Sequence, residues 1–170
     1  LGFPYIQEHF AGSVKLISVA LKDGSQTTGT GFMSVGVCDD NRQEILFITA
    51  KHCLSNVTSM IFEEWDLEKY EPLKIHVPSK KGVDLAAIHF PWELVADYKI
   101  SSIELGQGSI LEPILVMGYP NIDGYDHTLF SVTGEIMALG EAYLESRNPY
   151  WFISHGIKGG SSGGPVINKY

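Results

Sequence analysis

Three side chains of this 170-residue chain could together turn an ordinary hydroxyl into a nucleophile. They are Ser162 in Gly160-Ser161-Ser162-Gly163-Gly164-Pro165, His52 in Ile48-Thr49-Ala50-Lys51-His52-Cys53, and Asp84 in Val83-Asp84-Leu85-Ala86. A serine hydroxyl attacks poorly at its own pKa. It needs a base within hydrogen-bond reach, and the base needs a carboxylate that fixes its tautomer and stabilises the imidazolium. Glycines on both sides of Ser162 allow a tight turn whose backbone N–H groups converge on one spot, where a tetrahedral oxyanion can be held. The donors expected are the N–H groups of Gly160 and Ser162. The chemistry implied is acyl transfer.

Taken singly, the motifs say little: His52 reads as a strand-end histidine, Asp84 as a turn residue and Ser162 as a loop serine, since Gly/Ser strings are common in linkers. Their order and the elements around them carry the argument. Ile45 to Thr49 is a β-branched and aromatic run that predicts a buried strand, and His52 follows where that strand stops. Asp84 follows the loop Pro78-Ser79-Lys80-Lys81-Gly82 and opens an apolar strand over 85–90, where its carboxylate is expected to be partly buried at a strand edge.

Further β-prone runs cover 14–21, 30–37, 44–50, 57–62, 73–77 and 85–90, separated by Asp/Gly/Ser/Asn/Pro clusters, with one helical turn near Pro91 to Ala96. A second set covers 114–117, 128–134, 135–139, 150–154 and 165–168. The expected fold class is all-β: two antiparallel β-barrels with the site in the cleft between them. Residues 1–100 would form the barrel carrying His52 and Asp84. Residues 101–170 would form the one carrying Ser162.

The chain resembles the trypsin-like (chymotrypsin-fold) serine peptidases. Thr49-Ala50-Lys51-His52-Cys53 is similar to the family's Thr-Ala-Ala-His-Cys, Asp84-Leu85-Ala86 to its Asp-Leu/Ile-Ala, and Gly160 to Pro165 to its Gly-Asp/Asn-Ser-Gly-Gly-Pro. Gly29-Thr30-Gly31-Phe32 and Met117-Gly118-Tyr119-Pro120 resemble segments of the compact bacterial HtrA-type and glutamyl-endopeptidase-type members, which the short His52-to-Asp84 interval also suits. The resemblance implies a serine endopeptidase acting on protein or peptide substrates through an acyl-enzyme, with catalytic His52, Asp84 and Ser162 and an oxyanion hole from the N–H groups of Gly160 and Ser162. It implies no metal and no organic cofactor.

Three departures bear on what the resemblance carries over. Ser161 replaces the Asp that trypsin-type zymogens use to receive a freed N-terminus, so no N-terminal salt bridge is expected to switch the site on. Cys38 and Cys53 look like the family's disulfide pair. However, Cys38 precedes the turn signal Asp39-Asp40-Asn41-Arg42 at a hairpin tip while Cys53 lies past the far end of the second strand. The two should be on the order of 20 Å apart, beyond the ~7 Å Cα limit for a disulfide. Two free thiols favour a reducing compartment such as the cytoplasm, although a removed signal peptide would leave the same sequence. Third, the strands that in the family wall the specificity pocket would follow Tyr170. The second barrel is therefore expected to be incomplete and the chain to be a piece of a longer protein, unless an N-terminal or partner-chain strand completes it.

Gly156, six residues before the nucleophile, stands in the stretch where the family places its pocket floor and supplies no carboxylate to select Lys or Arg. His155 could meet an acidic side chain but reads as structural. The other histidines show no metal-ligand spacing, and Trp65, Trp92 and Trp151 read as packing groups. With 44% hydrophobic residues the chain can bury a sizeable core, and its net charge of −8 disfavours nucleic acid or an anionic membrane as partner. No run approaches the ~18 apolar residues of a membrane span.

Two other function classes fit parts of the sequence. Gly160 to Gly164 also fits the Gly-x-Ser-x-Gly elbow of α/β-hydrolases, but those enzymes place their Asp and His after the Ser, and no histidine follows Ser162. A catalytically inactive binding or scaffold module on the same fold is the alternative that remains. The intact triad together with the missing strands suits a peptidase gated by an activating partner, a substrate or further domains. Gly159-Gly160-Ser161 would then be the mobile element.

Overall fold

The computed structural model describes residues 2–37, 43–62, 65–66, 74–98, 100–125, 127–142, 148–154, 156 and 159–169. Cys38, the hairpin tip after it, and His155 lie outside the described residues. Two curled antiparallel sheets make up the fold. The first has six strands: β1 (Val14–Leu21), β2 (Gln26–Val37), β3 (Gln43–Thr49), β4 (Val57–Phe62), β5 (Lys74–His76) and β6 (Ala86–Phe90), in the order β4-β1-β2-β3-β6-β5. The second has four: β7 (Pro113–Gly118), β8 (Phe130–Ala142), β9 (Asn148–Ile153) and β10 (Val166–Asn168), in the order β10-β7-β8-β9. The fold is mostly β, as expected, and among the described residues the second sheet is left with β10 and β9 as its edges.

The first core lies inside the six-stranded sheet. Phe47, fully buried on β3, packs edge-on to Phe62 at 4.9 Å between ring centroids and stacks on Phe90 at 5.6 Å, with Trp65 closing the cluster. Such offset and edge-to-face geometries suit the ring quadrupoles. Strand β1 is buried on both faces at its start, where even Lys15 is covered and its ammonium lies 5.4 Å from the Trp65 ring centre. Trp92 and Trp151 depart from the reading as packing groups: both are exposed, and only Trp65 of the three belongs to the core.

A second core joins the sheets. It contains Val14, Phe32 and Ile48 from the first sheet, Leu115, Met117 and Ile167 from the second, Ile103 from the connection, and Ile6 from helix α1 (Phe3–Phe10). Helix α1 is not among the elements the sequence predicts. Its signal is present but short: Pro4 sits in the first turn, where the missing N–H costs nothing, and Phe3, Ile6 and Phe10 fall on one face.

The expected strands 128–134 and 135–139 form one continuous strand. Its first part, Phe130 to Glu135, pairs with β7, and from Ile136 it pairs with β9, with a register shift between Ile136 and Ala138. Gly134-Glu135 therefore marks a change of partner and not a turn. The one expected helical turn is α2 (Trp92–Tyr98), anchored by buried Leu94.

Candidate active site

Strand β3 ends at Thr49, and the chain enters a short 3-10 turn, Lys51–Leu54, that presents His52 outward while burying Cys53. Pairing of β3 with β6, in which Thr49 faces Ala86, brings the segment before β6 alongside that turn. Asp84 lies in this segment and grips His52 at two points. Its Oδ1 accepts the His52 backbone N–H at 2.8 Å, and its Oδ2 lies 2.5 Å from the His52 Nδ1. An ionised carboxylate only accepts, so this contact suits an imidazole that carries a proton on Nδ1, and in the neutral ring that leaves the lone pair on Nε2. The strand begins at Ala86, two residues past Asp84, and the expected burial of the carboxylate is not found: the side chains of His52 and Asp84 are 57% and 54% exposed. The segments that flank Asp84 locally leave it open to solvent.

Ser162 arrives from the second sheet. It sits in the turn before β10, whose pairing with β7 and the Met117 N–H to Pro165 carbonyl bond at 3.2 Å fix the loop against the sheet end. The loop is pressed closely against both sheets. Gly163 has φ of +88°, and a Cβ there would lie 2.2 Å from the Thr30 carbonyl oxygen. Gly160 has φ of +90°, and its Cβ would lie 2.6 Å from the Tyr119 carbonyl oxygen. No other residue type fits either position. The Ser162 carbonyl accepts the Thr30 N–H at 2.9 Å, tying the Ser162 segment to β2. Among the described residues, neither the Gly160 N–H nor the Ser162 N–H has a hydrogen-bond acceptor.

His52, Asp84 and Ser162 line one cleft of about 410 Å³, with Phe32, Leu85 and Leu105 among its walls. Leu105 was not singled out by sequence, because nothing local marks a residue of the inter-sheet connection as a cleft wall. Gly156 is exposed with open space around its Cα, and His155 lies outside the described residues. Beneath the site, Cys53 is a free, buried thiol whose Sγ lies 3.8 Å from the Ser162 carbonyl oxygen. Burial pushes this thiol above its ordinary pKa, a hydrogen bond with Thr49 opposes that, and the Asp84 charge adds to it.

Two curled antiparallel sheets with a His, an Asp and a Ser lining one cleft define the trypsin-like class of fold. The family model of the trypsin-like peptidase domain matches residues 29–170, and the chain belongs to that family. No curated protein matches it by sequence. Several solved structures share its fold. The HtrA-type protease AlgW with tripeptide superposes with TM-score 0.67 at 18% identity, over 99% of this chain and 51% of that one. The Rv3671c protease from M. tuberculosis, active form, gives 0.66 and 19%, over 96% and 68%. The protease Anisep from Arthrobacter nicotinovorans gives 0.62 and 20%, over 94% and 78%. The chain thus spans about half the length of the HtrA-type neighbour.

Proposed function

We propose that this chain carries the site of a serine endopeptidase, with residues 1–100 supplying the base and its carboxylate and residues 101–170 the nucleophile. His52 Nε2 takes the Ser162 Oγ proton as Oγ attacks a peptide carbonyl carbon. The N–H groups of Gly160 and Ser162 hold the oxyanion. His52 then gives that proton to the leaving amine as the C–N bond breaks, water attacks the acyl carbon while His52 takes one of its protons, and His52 returns the proton to Ser162 Oγ as the C–Oγ bond breaks and the carboxylic acid product leaves. Protein or peptide is the substrate class, and the scheme requires no metal or organic cofactor.

The observation that carries this reading is the two-point hold of Asp84 on His52, which leaves Nε2 as the basic nitrogen in a cleft shared with Ser162. The solvent exposure of that pair favours gating: a partner or further segment that covers Asp84 would strengthen its hold on the imidazolium by excluding water.

The test is labelling with a fluorophosphonate probe, with the modified residue read by mass spectrometry. Labelling at Ser162 that disappears in both Ser162→Ala and His52→Ala is the expected result. A folded protein that takes no probe, alone or with an added activating segment, would instead support the inactive binding module.

A further inference from the structure

Four successive carbonyls of the loop around Ser162 accept hydrogen bonds. The Gly159 carbonyl accepts from the Asn121 N–H at 2.7 Å, the Gly160 carbonyl from the Thr30 hydroxyl at 2.8 Å, the Ser161 carbonyl from the Gly164 N–H at 3.0 Å, and the Ser162 carbonyl from the Thr30 N–H at 2.9 Å. The segment that the sequence marks as mobile is therefore held at successive peptides. Two of the four holds come from one residue on β2.

A trans peptide directs its N–H opposite to its carbonyl. The Gly160 N–H belongs to the peptide held by Asn121, and the Ser162 N–H to the peptide held by Gly164. Between them stands the Gly160–Ser161 peptide, whose rotation would change the angle between the two N–H groups. Its carbonyl is the one the Thr30 hydroxyl holds. That hydroxyl is fully buried and its direction is forced: Oγ1 accepts the Tyr119 N–H at 2.9 Å, leaving its single proton for the Gly160 carbonyl. The Thr30 carbonyl in turn accepts the Thr49 hydroxyl at 2.7 Å, at the end of the strand that leads to His52.

We propose that Thr30 is a positioning residue for the oxyanion site: its hydroxyl sets the Gly160–Ser161 peptide and so the convergence of the Gly160 and Ser162 N–H groups. This rests on the peptidase reading above. Thr30 touches no substrate atom in the scheme. It acts through the loop, so its loss should appear where charge develops on the oxyanion and not where substrate is bound.

Thr30→Val keeps the shape and removes the hydroxyl, whereas Thr30→Ser keeps the hydroxyl. With a peptide or activated-ester substrate, Thr30→Val should lower kcat by about 100-fold with KM changed by less than about threefold, the pattern of a lost transition-state contact. Thr30→Ser should stay within about threefold of wild type, and the rate of fluorophosphonate labelling should follow kcat in all three. Should Thr30→Val not fold, Thr30→Ala, which also removes the hydroxyl, is read the same way.

A folded Thr30→Val with wild-type kcat, a loss confined to KM, or a Thr30→Ser as impaired as the valine variant would overturn the proposal. Wild-type protein that takes no probe at Ser162 would sink the peptidase reading instead. In that case amide exchange still decides the role of Thr30. Exchange at Tyr119, whose N–H the Thr30 hydroxyl accepts, and at Gly164, whose N–H holds the Ser161 carbonyl, faster by about tenfold in Thr30→Val and restored in Thr30→Ser upholds Thr30 as the residue that holds the loop, and unchanged exchange rejects it.

Discussion

Asp84 meets His52 with both carboxylate oxygens, one on the backbone N–H at 2.8 Å and one 2.5 Å from Nδ1. The backbone bond fixes where the histidine stands and the side-chain bond fixes which nitrogen is basic. Asn in place of Asp84 can keep the first with its amide oxygen but presents an N–H to Nδ1, which moves the imidazole proton to Nε2. Asp84→Asn should therefore lower kcat by on the order of 10⁴ with little change in KM. Because the pair is more than half exposed, unfolding in urea should shift by no more than about 1 kcal/mol. A large stability loss with modest loss of kcat would contradict this assignment of roles.

Gly163 sits where the Ser162 turn touches β2, with φ of +88° and no room for a Cβ beside the Thr30 carbonyl. Gly163→Ala combines left-handed backbone strain with a clash against a backbone oxygen that cannot swing aside. The expected cost is about 3 kcal/mol, measured from the midpoint of denaturant unfolding, together with loss of labelling at Ser162. A fully labelled, equally stable alanine variant would show that the loop is not seated as described.

Much of this arrangement is written locally in the sequence. Strands β1 and β4 begin and end at the residues their β-branched runs predict, and His52 and Asp84 are placed by strand ends that alternation and turn residues mark. What is not legible depends on distant segments meeting. The sequence divides 128–134 and 135–139 into two strands, yet the chain passes straight through, because β7 and β9 claim the two halves of β8. Asp84 was expected to be partly buried, but burial there would have to come from residues remote in sequence. Thr30 is an unremarked member of Gly29-Thr30-Gly31-Phe32 until residues 119 and 160 are brought to its hydroxyl.

The buried thiol of Cys53 faces β2 at a position that could bind it covalently. A Cβ built on Gly29 would lie 3.3 Å from the Cys53 Cβ and 2.7 Å from its Sγ, close to the separations a disulfide spans once either neighbour gives by a few tenths of an ångström. Gly29→Cys should form a disulfide with Cys53 on oxidation, seen as protection from alkylation and a mass loss of about two hydrogens per chain. Closing that loop should stabilise the oxidised form over the reduced one by about 3 kcal/mol. Two freely alkylated thiols at positions 29 and 53 after oxidation would place β2 and the His52 turn further apart than found here.

In the unsubstituted chain the same burial makes Cys53 a sensor of alkaline pH. Its folded pKa is raised, so between the unfolded and folded values the native thiol keeps a proton that the unfolded chain gives up. The contribution to stability is fully present below the ordinary thiol value of about 8.5 and is lost as pH rises through the raised folded value. The unfolding midpoint of wild type should therefore fall with pH above that point more steeply than that of Cys53→Ala. The alanine variant removes the thiol and leaves Cys38 as a common background. Alkylation by iodoacetamide at neutral pH should be correspondingly slow at Cys53, because the reactive thiolate is the form that burial disfavours. Parallel alkaline slopes for the two proteins, or rapid alkylation of native Cys53, would mean that the thiol is open to water and that the turn carrying His52 is not packed against β2 as described.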